Sequence, residues 1–532
     1  MKNISAVCSI MFFYTSVFSQ IDRIDISIIN TSSFTESENS VFISPLDKNI
    51  VLNANNRIDL SFSLQQVDAF VSTDGGQTWS LPVTLFTSQA DPAAAIGRNG
   101  YKYVLFVKGT LDLGIAIHNG TSWNTNSLPS SGNISCTDKV HLWIDNRLYK
   151  KDGASNSANE GNLYVASGIQ DIIFFRSLND GQTWTPACSI PLVCSSCQVI
   201  SGSSVTDKLG VNLQTGPSSE VYAYWAERNG IPGYETSIQF NQSTDAGQTW
   251  SSTPTIAINN IRGIYSPPTL PGKSMRVKSF PSMTVNQQNG YIFIVWANQR
   301  EPCGLNNPPG CNDPSPCISD ADIYMIRSTD GGISWDNPIR VNQDLINNCM
   351  DQWFPWITCD EASGALVCSY YGSQDCISGN NDCANTYVAI SYDQGNTWTE
   401  TKISDVELGG DVQTYWGSTY VGDYIGVDVS HGKAIPTWTD DRTGTLLTYT
   451  NPFDVPCPQD LNLIYGDYFI TDEKSGTSFT YDAAYSTRNT LTVCSSASNY
   501  KIYSGAKALM TAGNEIVIIP KEHEFKENSS WK

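Results

Sequence analysis

The sequence predicts an all-β protein: a β-propeller of seven blades, with six as the alternative, followed by a small all-β C-terminal module. Three observations predict it. One hairpin motif recurs at blade-length intervals, an aromatic-rich strand pattern recurs ahead of it, and no long stretch carries the 3.6-residue apolar period of a helix.

The hairpin motif is Ser-x-Asp-x-Gly-x-Thr-Trp. It occurs at Ser72–Trp79, Ser243–Trp250, Ser328–Trp335 (with Ser334 for Thr) and Ser391–Trp398. Ser177–Trp184 carries Asn179 in place of Asp, and His118–Trp123 is a degenerate copy that keeps the turn and the Trp. A short Asp or Asn side chain accepts hydrogen bonds from the backbone just ahead of it, and Gly supplies the positive φ of a tight hairpin. The Trp leaves the turn to pack between sheets. Each box therefore joins the last two strands of a small antiparallel sheet.

The second repeat is a strand such as Val221–Trp225, Ile292–Trp296 or Leu366–Tyr370, apolar enough to lie buried between two sheets. Together the repeats give strand, turn, strand, loop, strand, Asp-box turn, strand, which is a propeller blade. Units start near residues 42, 91, 138, 207, 277, 351 and 423; the first and last look incomplete and can share one blade.

The organisation follows. Residues 1–20 read as a signal peptide: Lys2 gives the positive charge and Ile10–Phe18 the apolar core, too short to span a bilayer. Residues 21–455 form the propeller and 456–532 the module. The chain is expected to be secreted or held at the cell surface, and to act as a monomer. Of 15 cysteines, Cys8 leaves with the signal, and the even remainder favours disulfides in an exported chain. Cys303, Cys311 and Cys317 crowd one insert, Cys376 and Cys383 flank another, and Cys188, Cys194 and Cys197 cluster in a third. The Cys194-x-x-Cys197 spacing has no second pair or nearby His to complete a metal site.

The net charge of −21 argues against nucleic acid and against anionic lipid, and an anionic ligand would need a local cluster of arginines. Blade topology puts the Asp boxes on one face and the 301–320, 371–385 and 186–206 segments on the other, so the second face is the expected site. Arg228, Arg300 and Arg442 each follow a second strand there. Three converging guanidinium groups can clamp a carboxylate; alternatively each pairs with an adjacent acid, Glu227, Glu301 or Asp441. Asp91, Asp138, Asp207, Asp351 and Asp423 begin innermost strands. Such a ring can supply a general acid, hold a structural calcium ion or bind sugar hydroxyls, or each Asp can cap its own turn. No other cofactor and no catalytic metal is expected, since His118, His141, His431 and His523 form no metal spacing.

The boxes resemble those of the Asp-box (BNR-repeat) sialidase-like superfamily, over roughly residues 40–450. Asp351-Gln-Trp-Phe-Pro-Trp356 and Gly422-Asp-Tyr-Ile-Gly426 resemble phrases of exported bacterial sialidases and glycosyl hydrolases. The resemblance implies an exported propeller acting on extracellular glycans or glycoproteins, as an exo-glycosidase of sialidase type; the alternative is a non-catalytic propeller binding glycan or protein. It implies Tyr424 as nucleophile with Asp423 or Asp441 as its base. The Phe/Tyr-Arg-Ile-Pro motif that carries the first sialidase arginine is absent, and Arg23-Ile24 lacks the proline. The tail, from Phe479-Thr-Tyr481 through Ile516–Pro520, is similar to a stacked-β module near the C-termini of proteins using type IX secretion.

Overall fold

The computed structural model describes residues 25–28, 34–59, 65–87, 89–108, 112–128, 139–147, 155, 158–168, 171–185, 198–202, 207–228, 235–264, 270, 276–299, 320–346, 348–376, 383–408, 414–415, 418–419 and 421–455, with short strand segments between 471 and 519. Strands and turns make up nearly all of it, and no helix occurs among the described residues.

Among the described residues seven antiparallel sheets have four or more strands, six of them four-stranded. Their innermost strands are Phe34–Ile43, Gln89–Ile96, His141–Ile144, Asp207–Thr215, Ser282–Val285, Gln352–Cys359 and Gly426–Ser430. Each packs on the next, and the last packs back on the first, so the ring closes. The first blade is complete and starts at Phe34, not near residue 42; the first and last units do not share a blade. The seventh takes its outer strand from the N-terminal segment Ile26–Ser27, which pairs with Tyr449 and Thr450. Seven blades, not six, is the count.

The start of the first blade escaped the sequence reading because it is polar. Thr35-Glu-Ser-Glu-Asn-Ser40 shows no apolar alternation, yet most of it is buried. Its partners are polar groups of blade 7: the Thr448 N–H donates to Glu36 Oε2 at 3.0 Å, the Thr448 hydroxyl donates to Asn39 Oδ1 at 2.8 Å, and Asn39 donates to Thr439 Oγ1 at 3.2 Å. The other interblade spaces are apolar, as between blades 3 and 4, where Phe174, Leu213 and Trp225 pack together.

The boxes fold as their chemistry dictates. In the first, Thr78 N–H and Oγ1–H donate to the two Asp74 oxygens at 2.8 and 2.6 Å, and Ser72 Oγ accepts from the Gly76 N–H at 2.8 Å. The same set recurs around Asp245, Asp330 and Asp393. The box glycine does more than turn the chain. At Gly332, φ is +89° and an added Cβ would stand 2.2 Å from the Phe240 ring of the preceding blade; at Gly395 it would stand 2.3 Å from Met325. Each box thus docks its blade on the one before it. Gly332→Ala is expected to cost about 2 kcal/mol or more, from strained φ plus overpacking. The denaturant midpoint of unfolding checks this; an unchanged midpoint would show that the close approach relaxes freely.

The second strands of blades 5 and 6 end at Gln299 and Gly372 and the third begin at Ala321 and Asn385, so the 301–320 segment and nearly all of 371–385 stand between second and third strands; a disulfide joins Cys376 to Cys383. The 186–206 segment does not serve only to connect blades: Gln198–Val199 within it pairs with Ile173 and Phe174 as the outer strand of blade 3. Cys359 and Cys368 are free thiols, buried in blade 6, so the cysteines do not all pair. Beyond the propeller, Leu491–Val493 pairs in parallel with Ala508–Met510, and Asn499–Tyr503 with Glu515–Ile519. Phe479-Thr-Tyr481 lies outside the described residues.

Candidate functional site

The inner strands run from the face opposite the Asp boxes down the propeller axis, and four of them begin with a bulge. Pairing skips between Ser37 and Ser40, Ala90 and Ala93, Leu209 and Asn212, and Trp353 and Trp356. The extra residue in each has positive φ: Glu38 (59°), Asp91 (56°), Gly210 (66°) and Phe354 (53°); Lys139, at the head of blade 3, has 44°. A bulge re-aims side chains near a strand end, and here it brings ionisable groups together around the axis. Pro92 and Pro355 follow two of the bulged residues, where the missing N–H leaves no ladder bond unmade.

Glu38 and Asp91 are hydrogen-bonded to each other. Asn56 links them: its amide nitrogen donates to Glu38 Oε2, and its oxygen accepts from the Asp91 N–H at 3.1 Å. The Lys139 N–H donates to Asp91 Oδ2 at 3.2 Å. Burial, then the Glu38 charge and the bond to it, push the Asp91 carboxyl well above the usual carboxylate range. Asp91 nevertheless stays partly exposed, whereas Glu38 is fully buried.

Asp423 lies on the other side of the mouth. Arg276 donates to its Oδ2 at 2.6 Å, and the Lys278 ammonium is 2.8 Å from the same oxygen. Its Oδ1 is buried with no hydrogen-bond partner among the described residues. Glu235, buried beside Arg228 and Lys278, is pushed up to about 7 by desolvation. Aromatic rings wall the mouth: Trp356 lies 6.3 Å from Tyr424 and 6.2 Å from His141, ring centre to ring centre. His141 Nδ1 accepts from the Leu213 N–H, and burial, then the Lys139 charge, push the imidazole down to about 3, so it stays neutral.

Below this mouth runs an axial channel lined by Val41, Ala94, Leu142, Met283 and Ile357, with about 550 Å³ of empty space, its solvent-open part included. At the Asp-box end Arg147 of blade 3 reaches across to Gln287 of blade 5, donating to its backbone and side-chain oxygens, both at 3.1 Å.

The structure distributes the sequence-derived residues unevenly. Tyr424 is buried in the channel wall, and its hydroxyl donates to the Pro92 carbonyl at 3.1 Å. Asp441 lies in the turn after the second strand of blade 7, its carbonyl accepting from the Gly444 N–H. Arg228 pairs with Asp207 at 3.0 Å and Arg442 with Asp25, Asp405 and Asp440. These partners differ from the adjacent acids Glu227 and Asp441 for a geometric reason. Neighbours along a strand point to opposite faces, whereas Asp207 is directly across the ladder from Arg228 and Asp440 is two residues from Arg442. The two arginines thus serve different carboxylates, three blades apart. Arg300 and Asp138 lie outside the described residues.

The acids expected to repeat in register do not. Asp207 and Asp351 sit three residues before their bulges; Asp207 pairs with Arg228 across its own ladder, and Asp351 ties blade 6 to blade 5 by accepting from the Ala321 N–H at 2.8 Å. Asp91 sits on the bulge itself. Glu38, Lys139, Arg276 and Lys278 were missed; the repeated bulge-plus-proline at Asp91-Pro92 and Phe354-Pro355 was the available signal. One group of metal-type ligands lies within reach of a common ion among the described residues, Cys376, Cys383 and Glu407, and its two sulfurs form the disulfide.

Closed ring and docked boxes define an Asp-box β-propeller, with ionisable groups gathered at one mouth of its axis. The family model described as BNR/Asp-box repeat matches residues 70–81, the first box. No curated protein matches the chain. Among solved structures, a protein of unknown function from Dyadobacter fermentans is 12% identical, over 65% of this chain and 93% of its own, with a TM-score of 0.40. A GH93 α-L-arabinofuranosidase of Fusarium graminearum is 10% identical, over 69% and 93%, at 0.41. A Hadza microbial sialidase is 12% identical, over 71% and 68%, at 0.36. Each is a likeness of fold.

Proposed function

We propose that this protein is exported and cleaves glycosidic bonds in extracellular glycans at the axial mouth, with Asp91 as proton donor. The observation that carries this reading is the Glu38–Asp91 pair. One carboxyl group is kept protonated into the neutral range at a partly exposed position, which is what protonation of a leaving glycosidic oxygen requires. The bond between the anomeric carbon and that oxygen breaks as the oxygen takes the proton. Asp423, held between Arg276 and Lys278, is the carboxylate placed to assist water or to face the developing positive charge. Trp356 offers a flat apolar face of the kind sugars stack on.

A sialidase-type step would ask more. Tyr424 would have to release Pro92 before acting as nucleophile, with Asp423 or Asp441 as base. A substrate carboxylate would have to be held by arginines other than Arg228 and Arg442, which already carry acids. This pairing favours a second reading, a non-catalytic propeller binding glycan or protein at the same mouth.

Hydrolysis of a panel of fluorogenic glycosides, a sialoside and neutral pyranosides and furanosides included, separates the two. Turnover of at least one glycoside is expected. No turnover of any, with retained binding in a glycan array, would replace hydrolysis by recognition.

A further inference from the structure

Lys139 is the least ordinary group in the mouth. It heads blade 3, yet its ammonium lies 2.9 Å from the ring centre of Tyr424 in blade 7, 5.5 Å from that of Trp356 in blade 6 and 5.7 Å from that of Phe280 in blade 5. The side chain therefore crosses the axis. Its residue is only 6% exposed, and its Nζ stands in a cage of three rings, an arrangement that stabilises a desolvated cation through the ring faces. Its own N–H meanwhile holds Asp91 Oδ2. Backbone and ammonium thus grip the mouth from two sides, while the left-handed backbone at φ 44° fixes the direction between them.

We propose that Lys139 is the positioning residue of the mouth: a caged ammonium that forms the floor above the axial channel and sets the charge state of the Glu38–Asp91 pair. The proposal rests on the reading of Asp91 as proton donor and adds what tunes it. The groups facing Asp91 are Glu38 from blade 1, Lys139 from blade 3 and Asp423 from blade 7, with Arg276 and Lys278 of blade 5 on Asp423. Glu38 and Asp423 favour the proton on Asp91, and Lys139 opposes them. Lys139 is thus a cation whose charge lowers the Asp91 carboxyl while its own N–H holds Asp91 Oδ2. Without it the pair would retain its proton to higher pH, and the channel below would open to the mouth.

The test reads ionisation without needing turnover. Protein labelled with ¹³C at the Asp carboxyl carbons is titrated by NMR, and the Asp91 signal is assigned by its loss in Asp91→Asn. In Lys139→Met the Asp91 midpoint is expected to rise by about one pH unit or more, the usual size for removing a nearby opposite charge. In Lys139→Arg it is expected to stay near the wild-type value. Lys139→Gln, similar in length and uncharged, carries the same expectation where the methionine variant does not fold. An unmoved midpoint in the uncharged variants would overturn the proposal, whatever the enzyme assays give. If glycosides are turned over, the alkaline limb of the rate profile moves with the midpoint. If none is, the titration still decides the role of Lys139, and only the catalytic reading falls.

Discussion

Arg442→Ala is expected to lower the free energy of unfolding by about 3–5 kcal/mol, the range for removing one partner of a buried ion pair. In this propeller an N-terminal strand closes the last blade; among the described residues it is short, Ile26 and Ser27 pairing with Thr450 and Tyr449 and the Ile28 N–H donating to the Thr448 carbonyl at 2.9 Å. So short a strand holds weakly by its ladder alone. Arg442 supplies the rest. It donates to Asp25 and Asp440 at 2.6 and 2.7 Å and to Asp405, and it lies 4.1 Å from the ring centre of Tyr449. Asp25 and Asp405 also hold each other's backbone, the Asp25 N–H on Asp405 at 3.2 Å and the Asp405 N–H on Asp25 at 2.9 Å. Blades 6 and 7 and the closing strand meet at this one guanidinium.

The loss should depend on pH in a fixed direction. Burial, then the bond to Asp405, push the Asp25 carboxyl up to about 7 even with Arg442 present. Its folded value exceeds the unfolded carboxyl value of about 4, so stability falls as pH rises through that window. Removing the guanidinium raises the folded value further. The deficit of Arg442→Ala should thus be smaller near pH 5 and larger near pH 9. Asp25→Asn in the same background should recover part of it at pH 9. Thermal unfolding at the two pH values checks both statements, and a deficit independent of pH would mean that the clasp acts through packing on Tyr449 instead.

Much of the fold was legible because its signals are local. A box needs its Asp, Gly and Thr within a few residues, and those chemistries stand in the sequence whatever surrounds them. Closure was less legible. The Ile26–Ser27 strand has no pattern of its own, and Phe34–Ile43 looks like a loop because its polar side chains meet polar partners some 400 residues later, as Asn39 meets Thr439. The site was least legible. Asp91 was singled out for a register it does not share. Glu38, Lys139 and Arg276 each belong to a different blade, and nothing local marks them as neighbours. Positive-φ backbone at Glu38, Asp91 and Lys139, which a sequence shows faintly through Asp91-Pro92, helps turn those three toward one point, and Arg276 joins them through Asp423.

Asp91→Asn is the second variant with a large expected effect, and it should move activity and stability in opposite directions. Under the reading of Asp91 as proton donor, glycoside turnover should fall by about 10²- to 10⁴-fold, the usual contribution of a general acid. The amide introduced there can still donate to Glu38, as the protonated carboxyl does, so the bond within the pair survives. What disappears is the cost of ionisation. In the wild type the folded state holds this proton more tightly than the unfolded chain, so stability declines as pH rises from about 4 toward the raised folded value. The variant lacks that decline. It should match or slightly trail the wild type near pH 4 and exceed it by about 1.4 kcal/mol or more at pH 9, one pKa unit being worth that amount. Turnover and thermal unfolding measured on the same preparation decide the matter. A variant both inactive and destabilised at pH 9 would make Asp91 a structural link between blades 1 and 2. One both active and stabilised would leave the raised carboxyl a strain without a catalytic use.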